Sequence, residues 1–242
     1  MSENKTNNTN PTLFLFPSLL SNVAPSSSLP LLNIELISKV KHFIVEDIRS
    51  ARRFLKACNP AIVIDQLSFS VLNVNTLDED IPSLVSPLEQ GYDVGIISEA
   101  GCPAIADPGA VVVEEAHRRG FEVVPLVGPS SIILALMASG FNGQKFCFNG
   151  YLPIEQSKRV PVIKSLYHKA VTDNTTQIFI ETPYRNNKMI EAIISALPSS
   201  AKLCVAQDLT GPAQRIVSQP IEKWKRVKLD FDKIPAIFLI YR

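Results

Sequence analysis

The 242-residue sequence predicts an α/β protein made of two α/β domains, and three observations predict it. Short apolar runs bounded by polar residues read as buried strands. Helix-like stretches ending at glycine alternate with them. A Gly-Pro pair, Gly128-Pro129, interrupts the pattern near mid-chain. Residues 1–11 are expected to be a disordered tail, 12–127 an N-terminal domain and 128–242 a C-terminal domain.

Each element has its own signal. Residues 34–41, 43–45 and 50–57 read as helix, strand and helix. Residues 94–98 form a short apolar run, a buried strand. Residues 110–119 read as a helix stopped by Gly120, and 122–126 as the next strand. Residues 130–139 read as an apolar helix ended by Gly140. Strand, loop, helix and strand in this order make a βαβ unit, which implies a parallel sheet. Farther on, 177–181, 203–207 and 236–241 read as strands, 187–197 as a helix before Pro198, and 215–224 as a weaker strand pairing.

Composition removes several classes of function. At 46% hydrophobic and 19% charged, the chain is neither disordered nor fibrous. A chain of this size buries roughly 70% of its unfolded surface and needs no disulfide to fold. A net charge of +1 gives no global field for nucleic acid or membrane, so a basic site has to be a local patch. Cys58, Cys102, Cys147 and Cys204 are widely spaced and read as free thiols. His42, His117 and His168 are scattered, and no metal site is expected. Residues 13–20 look faintly like a secretory core, but a polar start and Pro17 argue against one. No apolar run reaches membrane-spanning length, and a cytoplasmic location is expected.

Nine of the ten glycines fall between Gly91 and Gly150. Such clustering fits turns that press backbone against a ligand, and it fits ordinary tight loops equally well. G-x-G-x-x-G, P-loop, G-x-S-x-G and H-E-x-x-H patterns are absent.

Five segments stand out. Residues 98–109, SEAGCPAIADPG, follow a strand and precede a helix, where open α/β sheets bind ligands. Glu99 and Asp107 are its only acids; either would favour a cationic ligand, while Asp107 also reads as a helix cap. Residues 127–131, VGPSS, offer Ser130 or Ser131 as an N-cap. Residues 148–153, FNGYLP, precede Lys158 and Arg159. Residues 178–185, IFIETPYR, carry Glu181 and Arg185, a structural ion pair or a site. Residues 44–55, IVEDIRSARRFL, set Glu46 and Asp47 at a strand end, and then Arg49, Arg52, Arg53 and Lys56 on one helix face. That face reads as a solvated surface or as a phosphate-binding patch.

Together these segments resemble the tetrapyrrole methylase superfamily, and within it the small-subunit ribosomal RNA cytidine 2′-O-methyltransferases. The family's E-D-T-R is matched by residues 46–49, its S-D-A-G-T-P-x-I-S-D-P-G by 98–109, and its P-G-P-S by 127–130. Its G-F-L-P is matched by 150–153, its Y-E-S-P-H-R by 180–185, and its R-E-L-T-K by 207–211. Order and spacing agree from residue 43 onward. The sequence departs from the pattern at Glu99, Cys102, Ala106, Val127, Tyr184, Gln207 and Gly211. The first strand, near residues 13–16, runs into a segment without the family's glycine.

The resemblance implies two α/β domains with S-adenosylmethionine in a cleft between them, usually in a homodimer. It assigns the cofactor to Ser98, Glu99, Ala100, Gly101, Cys102, Pro103, Gly128, Pro129, Ser130, Ser131, Gly150, Tyr151, Leu152, Asp208 and Leu209. Glu46, Asp47 and Glu181 become candidates to take a proton or orient the sugar. Arg49, Arg52, Arg53 and Arg185 become candidates to hold RNA, and ribosomal RNA or the small ribosomal subunit the expected partner. Two other readings stay open: a methyltransferase acting on a tetrapyrrole or other small molecule, and a non-catalytic protein that keeps the cofactor cleft.

Overall fold

The computed structural model describes residues 10–242, so most of the expected tail lies outside the described residues. The chain forms two compact units. The first runs through Leu19 and resumes over Ala24–Pro129; the second comprises Leu20–Val23 and Ser130–Arg242. The short Leu20–Val23 segment belongs to the second unit although it lies within the expected first domain. Leu20 packs against that unit's core, and the Ser21 hydroxyl donates to Asp208 Oδ1 at 2.7 Å.

The first unit contains β1 (Thr12–Phe16), α1 (Leu31–Ile37), β2 (His42–Val45), α2 (Ile48–Cys58), β3 (Ser68–Val71), α3 (Ile81–Leu84), α4 (Ser86–Glu89), β4 (Val94–Ile97), α5 (Ala110–Arg118) and β5 (Glu122–Pro125). Its strands form one parallel sheet in the order β3-β2-β4-β1-β5. Continuous apolar strands follow from burial on both faces. Leu13, Ile44, Val94 and Ile96 point to one core with Val112 and Ala116 of α5. Phe16, Phe43, Val45 and Ile97 point to the other with Ala51 and Leu55 of α2. α1 begins three residues before the expected start, where Pro30 sets its entry.

The second unit contains α6 (Ser131–Ser139), β6 (Phe146–Tyr151), α7 (Gln156–Thr172), β7 (Thr176–Ile180), α8 (Asn186–Ala196), β8 (Lys202–Gln207), β9 (Arg215–Pro220), α9 (Ile221–Trp224) and β10 (Ala236–Tyr241). Its sheet has the order β6-β7-β10-β8-β9 and is mixed: β6 and β7 are parallel and the remaining pairs antiparallel. Alternation again sorts the side chains. Leu203, Val205, Phe238 and Ile240 pack toward Ile163, Leu166 and Ile193 of the long helices. Cys204, Ala206, Ile237 and Leu239 pack toward Ile132, Ala135 and Leu136 of α6. The rings of Phe179 and Phe238 stack at 5.6 Å, and the Trp224 indole donates to the Leu203 carbonyl at 2.9 Å.

All four cysteines are free thiols. Burial pushes Cys58 and Cys204 up to about 12, which leaves both inert at neutral pH. Among the described residues no helix is long and apolar enough to cross a membrane.

Candidate active site

In the first sheet β1 and β4 are neighbours, yet their connections leave in opposite directions, β1 toward β2 and β4 toward β5. The carboxyl ends of such strands border the crevice where open α/β sheets take ligands. Residues 98–109 leave β4 there and are held by a dense set of bonds. The Ser98 hydroxyl donates to the Gly101 carbonyl at 2.7 Å. Ser18, just past β1, pairs with Gly101 through both backbone groups, at 2.8 and 3.3 Å, and its hydroxyl donates to the Ser98 carbonyl. Asp107 Oδ1 accepts from Ala104 N at 3.0 Å and Gly109 N at 2.7 Å. It braces this loop and does not cap α5, whose N-cap is Gly109 without a side-chain bond.

The loop also holds an uncommon backbone. Gly101 has φ +76°, and Ala104 and Ala106 have φ of 64° and 56°. A non-glycine residue held there costs on the order of 1–3 kcal/mol, and such strain collects at binding sites. Pro103 and Gly101 are buried, whereas Glu99 and Ala100 face solvent. Burial raises the Cys102 thiol, which donates to the Pro129 carbonyl at 3.5 Å. Gly128 is a packing requirement: a Cβ there would meet Pro17 Cβ at 2.3 Å. The glycine-free segment after β1 is thus tied to both of the unit's proline-rich loops.

Glu46 follows β2, the strand beside β4. Its carboxyl is pushed up to about 7, first by burial, then by the negative charge of Asp107 and, more weakly, of Glu99. Asp47 has a different job. It is the N-cap of α2, accepts from Ser50 N at 2.7 Å, and is held below the usual carboxylate range by that bond. Arg49, Arg52, Arg53 and Lys56 follow on the exposed face of α2. Arg52 lies over the Phe69 ring, Arg53 reaches the Ser50 hydroxyl, and Lys56 donates to the Pro60 carbonyl. Among the described residues no carboxylate forms an ion pair with any of the four.

The second unit presents its own cluster at the carboxyl ends of β6 and β7. The register between them shifts between Phe148 and Tyr151, where Gly150 has φ +64°. The Asn149 amide fills the gap by donating to the Ile178 carbonyl and to Gln177 Oε1, both at 3.2 Å. Tyr151 points outward and Leu152 is buried. Glu181 has a side chain only 1% exposed, and its Oε1 accepts from Thr182 N at 2.6 Å and Arg185 Nη2 at 2.5 Å. That carboxylate holds Arg185 firmly in its charged form. Glu181 Oε2 and Arg185 Nε are buried without a partner.

Elsewhere in the second unit, Ser130 caps α6 by accepting from Ile133 N, and Ser131 opens that helix. Asp208 (φ 47°) accepts from Ala213 N at 2.8 Å, and Leu209 is buried in the core. Two contributors were not singled out in the sequence, although Thr210 lies inside the 207–211 match. Ser18 acts across 80 residues of sequence, and the Thr210 hydroxyl is buried without a partner. Arg159, 6% exposed, was legible only as a basic residue; its Nη1 donates to the Ile154 carbonyl and braces the turn after β6.

The sequence pattern of the tetrapyrrole (corrin/porphyrin) methylases matches residues 27–224. The chain belongs to this family. Among its methylase relatives is the ribosomal RNA small subunit methyltransferase I of Vibrio cholerae, 29% identical over 91% of this chain and 73% of that one. The Thermotoga maritima protein of the same name is 34% identical over 67% of this chain and 71% of its own length. The Mesorhizobium japonicum one is 39% identical, but this chain spans only 42% of it. Diphthine synthase superposes with TM-score 0.66 at 13% identity, covering 95% of this chain and 89% of that one. The methyltransferase CobJ superposes with TM-score 0.64 at 12% identity, covering 97% and 95%. At these identities the two structures show a shared fold.

Proposed function

We propose that this methylase is an S-adenosylmethionine-dependent enzyme that methylates a ribose 2′-hydroxyl of small-subunit ribosomal RNA. The observation that carries the reading is the Glu46 carboxyl just past β2, raised to about 7 beside Asp107 and Glu99 of the loop after β4. A general base works best with a pKa near the working pH. The names of the relatives support ribosomal RNA over a tetrapyrrole, and the bonded segment after β1 supports a working loop over a relic.

The residues present suit the cofactor. Three acids, Glu46 past β2 and Glu99 and Asp107 in the loop after β4, repel each other, and a sulfonium or ammonium group would relieve that repulsion. In the first unit Ser98, Glu99, Ala100, Gly101, Cys102, Pro103, Gly128 and Pro129 would hold it. Of the second unit's own candidates, Ser130 and Ser131 start α6, Gly150, Tyr151 and Leu152 lie at the end of β6, and Asp208 and Leu209 follow β8. When bound, S-adenosylmethionine supplies an electrophilic methyl group. Glu46 would take up the proton that the 2′-hydroxyl gives up. Asp107 keeps the loop in shape, and the buried Glu181 fixes Arg185 toward the RNA. Orienting the reactants supplies much of the rate, roughly 7–11 kcal/mol at best.

The α2 face without ion pairs supports backbone contacts to RNA through Arg49, Arg52 and Arg53. The exposed Ile133 and Met137 on α6 support a homodimer, and a ribosomal substrate supports a cytoplasmic location.

Calorimetry tests the reading. The protein should bind S-adenosylmethionine and its demethylated product. The triple variant Arg49→Ala, Arg52→Ala, Arg53→Ala should bind the cofactor as well as wild type does. Its affinity for RNA should fall, and the slope of log affinity against log salt should flatten by about 2–3. Failure of both compounds to bind at millimolar concentration would refute the enzyme.

A further inference from the structure

We infer that Tyr184 and Tyr151 form a stacking platform for one unpaired base of the RNA, with Arg185 holding a neighbouring phosphate. The inference deepens the ribosomal RNA reading and rests on it.

Both rings face water: Tyr184 is 77% exposed and Tyr151 63%. One exposed aromatic on a surface is ordinary. Here two lie at the same end of one sheet, because Tyr151 pairs with Ile180 across the parallel strands β6 and β7, and Tyr184 follows four residues later. Among the described residues neither hydroxyl makes a hydrogen bond within the chain.

The frame beneath Tyr184 is stiff. Pro183, Tyr184 and Arg185 form a single helical turn. The Pro183 carbonyl accepts from Lys233 N at 2.8 Å, and Arg185 N donates to the Thr182 carbonyl at 2.9 Å. Thr182 N is held in turn by Glu181. A ring on such a mount loses little freedom when a base stacks on it.

Beside the rings stands a cation with capacity left over. Glu181 takes one Nη of Arg185, while 29% of the arginine side chain stays exposed. Glu181 keeps the guanidinium charged, and Tyr151 pairs with Ile180, the residue before Glu181. Arginine forks suit phosphate oxygens, and every base has a face for an aromatic ring. Bases in a duplex are already stacked, so the platform selects RNA whose bases are splayed.

The test is fluorescence anisotropy with a short mixed-sequence single-stranded RNA and with the same sequence as a duplex. Tyr184→Ala and Tyr151→Ala should each weaken single-strand binding by roughly 5- to 100-fold. Tyr184→Phe should restore it, because the ring is what binds, and duplex binding should change far less. Single-strand affinity unaltered in both Ala variants, or no rescue by Phe, overturns the platform. A wild-type protein that transfers no methyl group to small ribosomal subunits, while the Ala variants still lose single-strand affinity, overturns the ribosomal reading and leaves the platform standing.

Discussion

Glu46→Gln is expected to lower methyl transfer to ribosomal RNA by about 10²- to 10⁴-fold, the usual contribution of a positioned base. Wild-type turnover should rise with pH through about 7, as the carboxyl that burial and Asp107 hold protonated gives up its proton. The variant should lose that rise. Stability should move the other way. A carboxyl with a raised pKa favours the folded state below its ordinary value near 4.5, and that contribution fades as pH climbs through 7. Glu46→Gln has nothing to ionise. It should therefore match wild type at pH 4 and gain on it between about 4.5 and 7. Above 7 it should stay more stable by about 1 kcal/mol, the full shift being cut by solvent screening. Thermal melts across that range check the sign. Cofactor affinity gives a second reading, since a bound cation favours the ionised carboxyl, so wild type should bind more tightly as pH rises through 7 while the variant should not.

The second large effect is expected at Glu181 and Arg185. Removing one member of a buried ion pair costs about 3–5 kcal/mol, because the survivor is left charged and unpaired. The two members are not equally buried: the Glu181 side chain is 1% exposed and that of Arg185 is 29%. Arg185→Ala strands the deeper charge and should cost about 3 kcal/mol, whereas Glu181→Ala leaves a cation that water reaches and should cost about 2. Glu181→Ala also frees Thr182 N, which loosens the turn carrying Tyr184. Denaturant titration measures both. Costs in the reverse order would show that Arg185, and not Glu181, is the anchored member.

Much of the first sheet was legible because parallel strands buried on both faces leave continuous apolar runs, as residues 94–97 do, and because Gly120 and Gly140 mark helix ends. α7 was not read as an element. Pro161 sits inside it and breaks the eye's pattern, although Arg159, Ile163, Leu166 and Ala170 recur at helical spacing on its buried face. β3 was missed for the opposite reason: an edge strand with alternating serine, residues 68–71, buries little. At the site, sequence spacing isolated the loop after β4 but not what shapes it. Ser18 and Gly101 are 83 positions apart and meet only because β1 and β4 pair. Asp47 and Glu46 look equivalent in sequence, and only the start of α2 separates a helix cap from a carboxyl raised toward neutrality.

The central claim is tested most directly by incubating the protein with methyl-labelled S-adenosylmethionine and unmodified small ribosomal subunits, then digesting the RNA to nucleosides. The account predicts label in a 2′-O-methylated nucleoside, lost in Glu46→Gln. Label on a base, label only on an added tetrapyrrole, or none at all would contradict it.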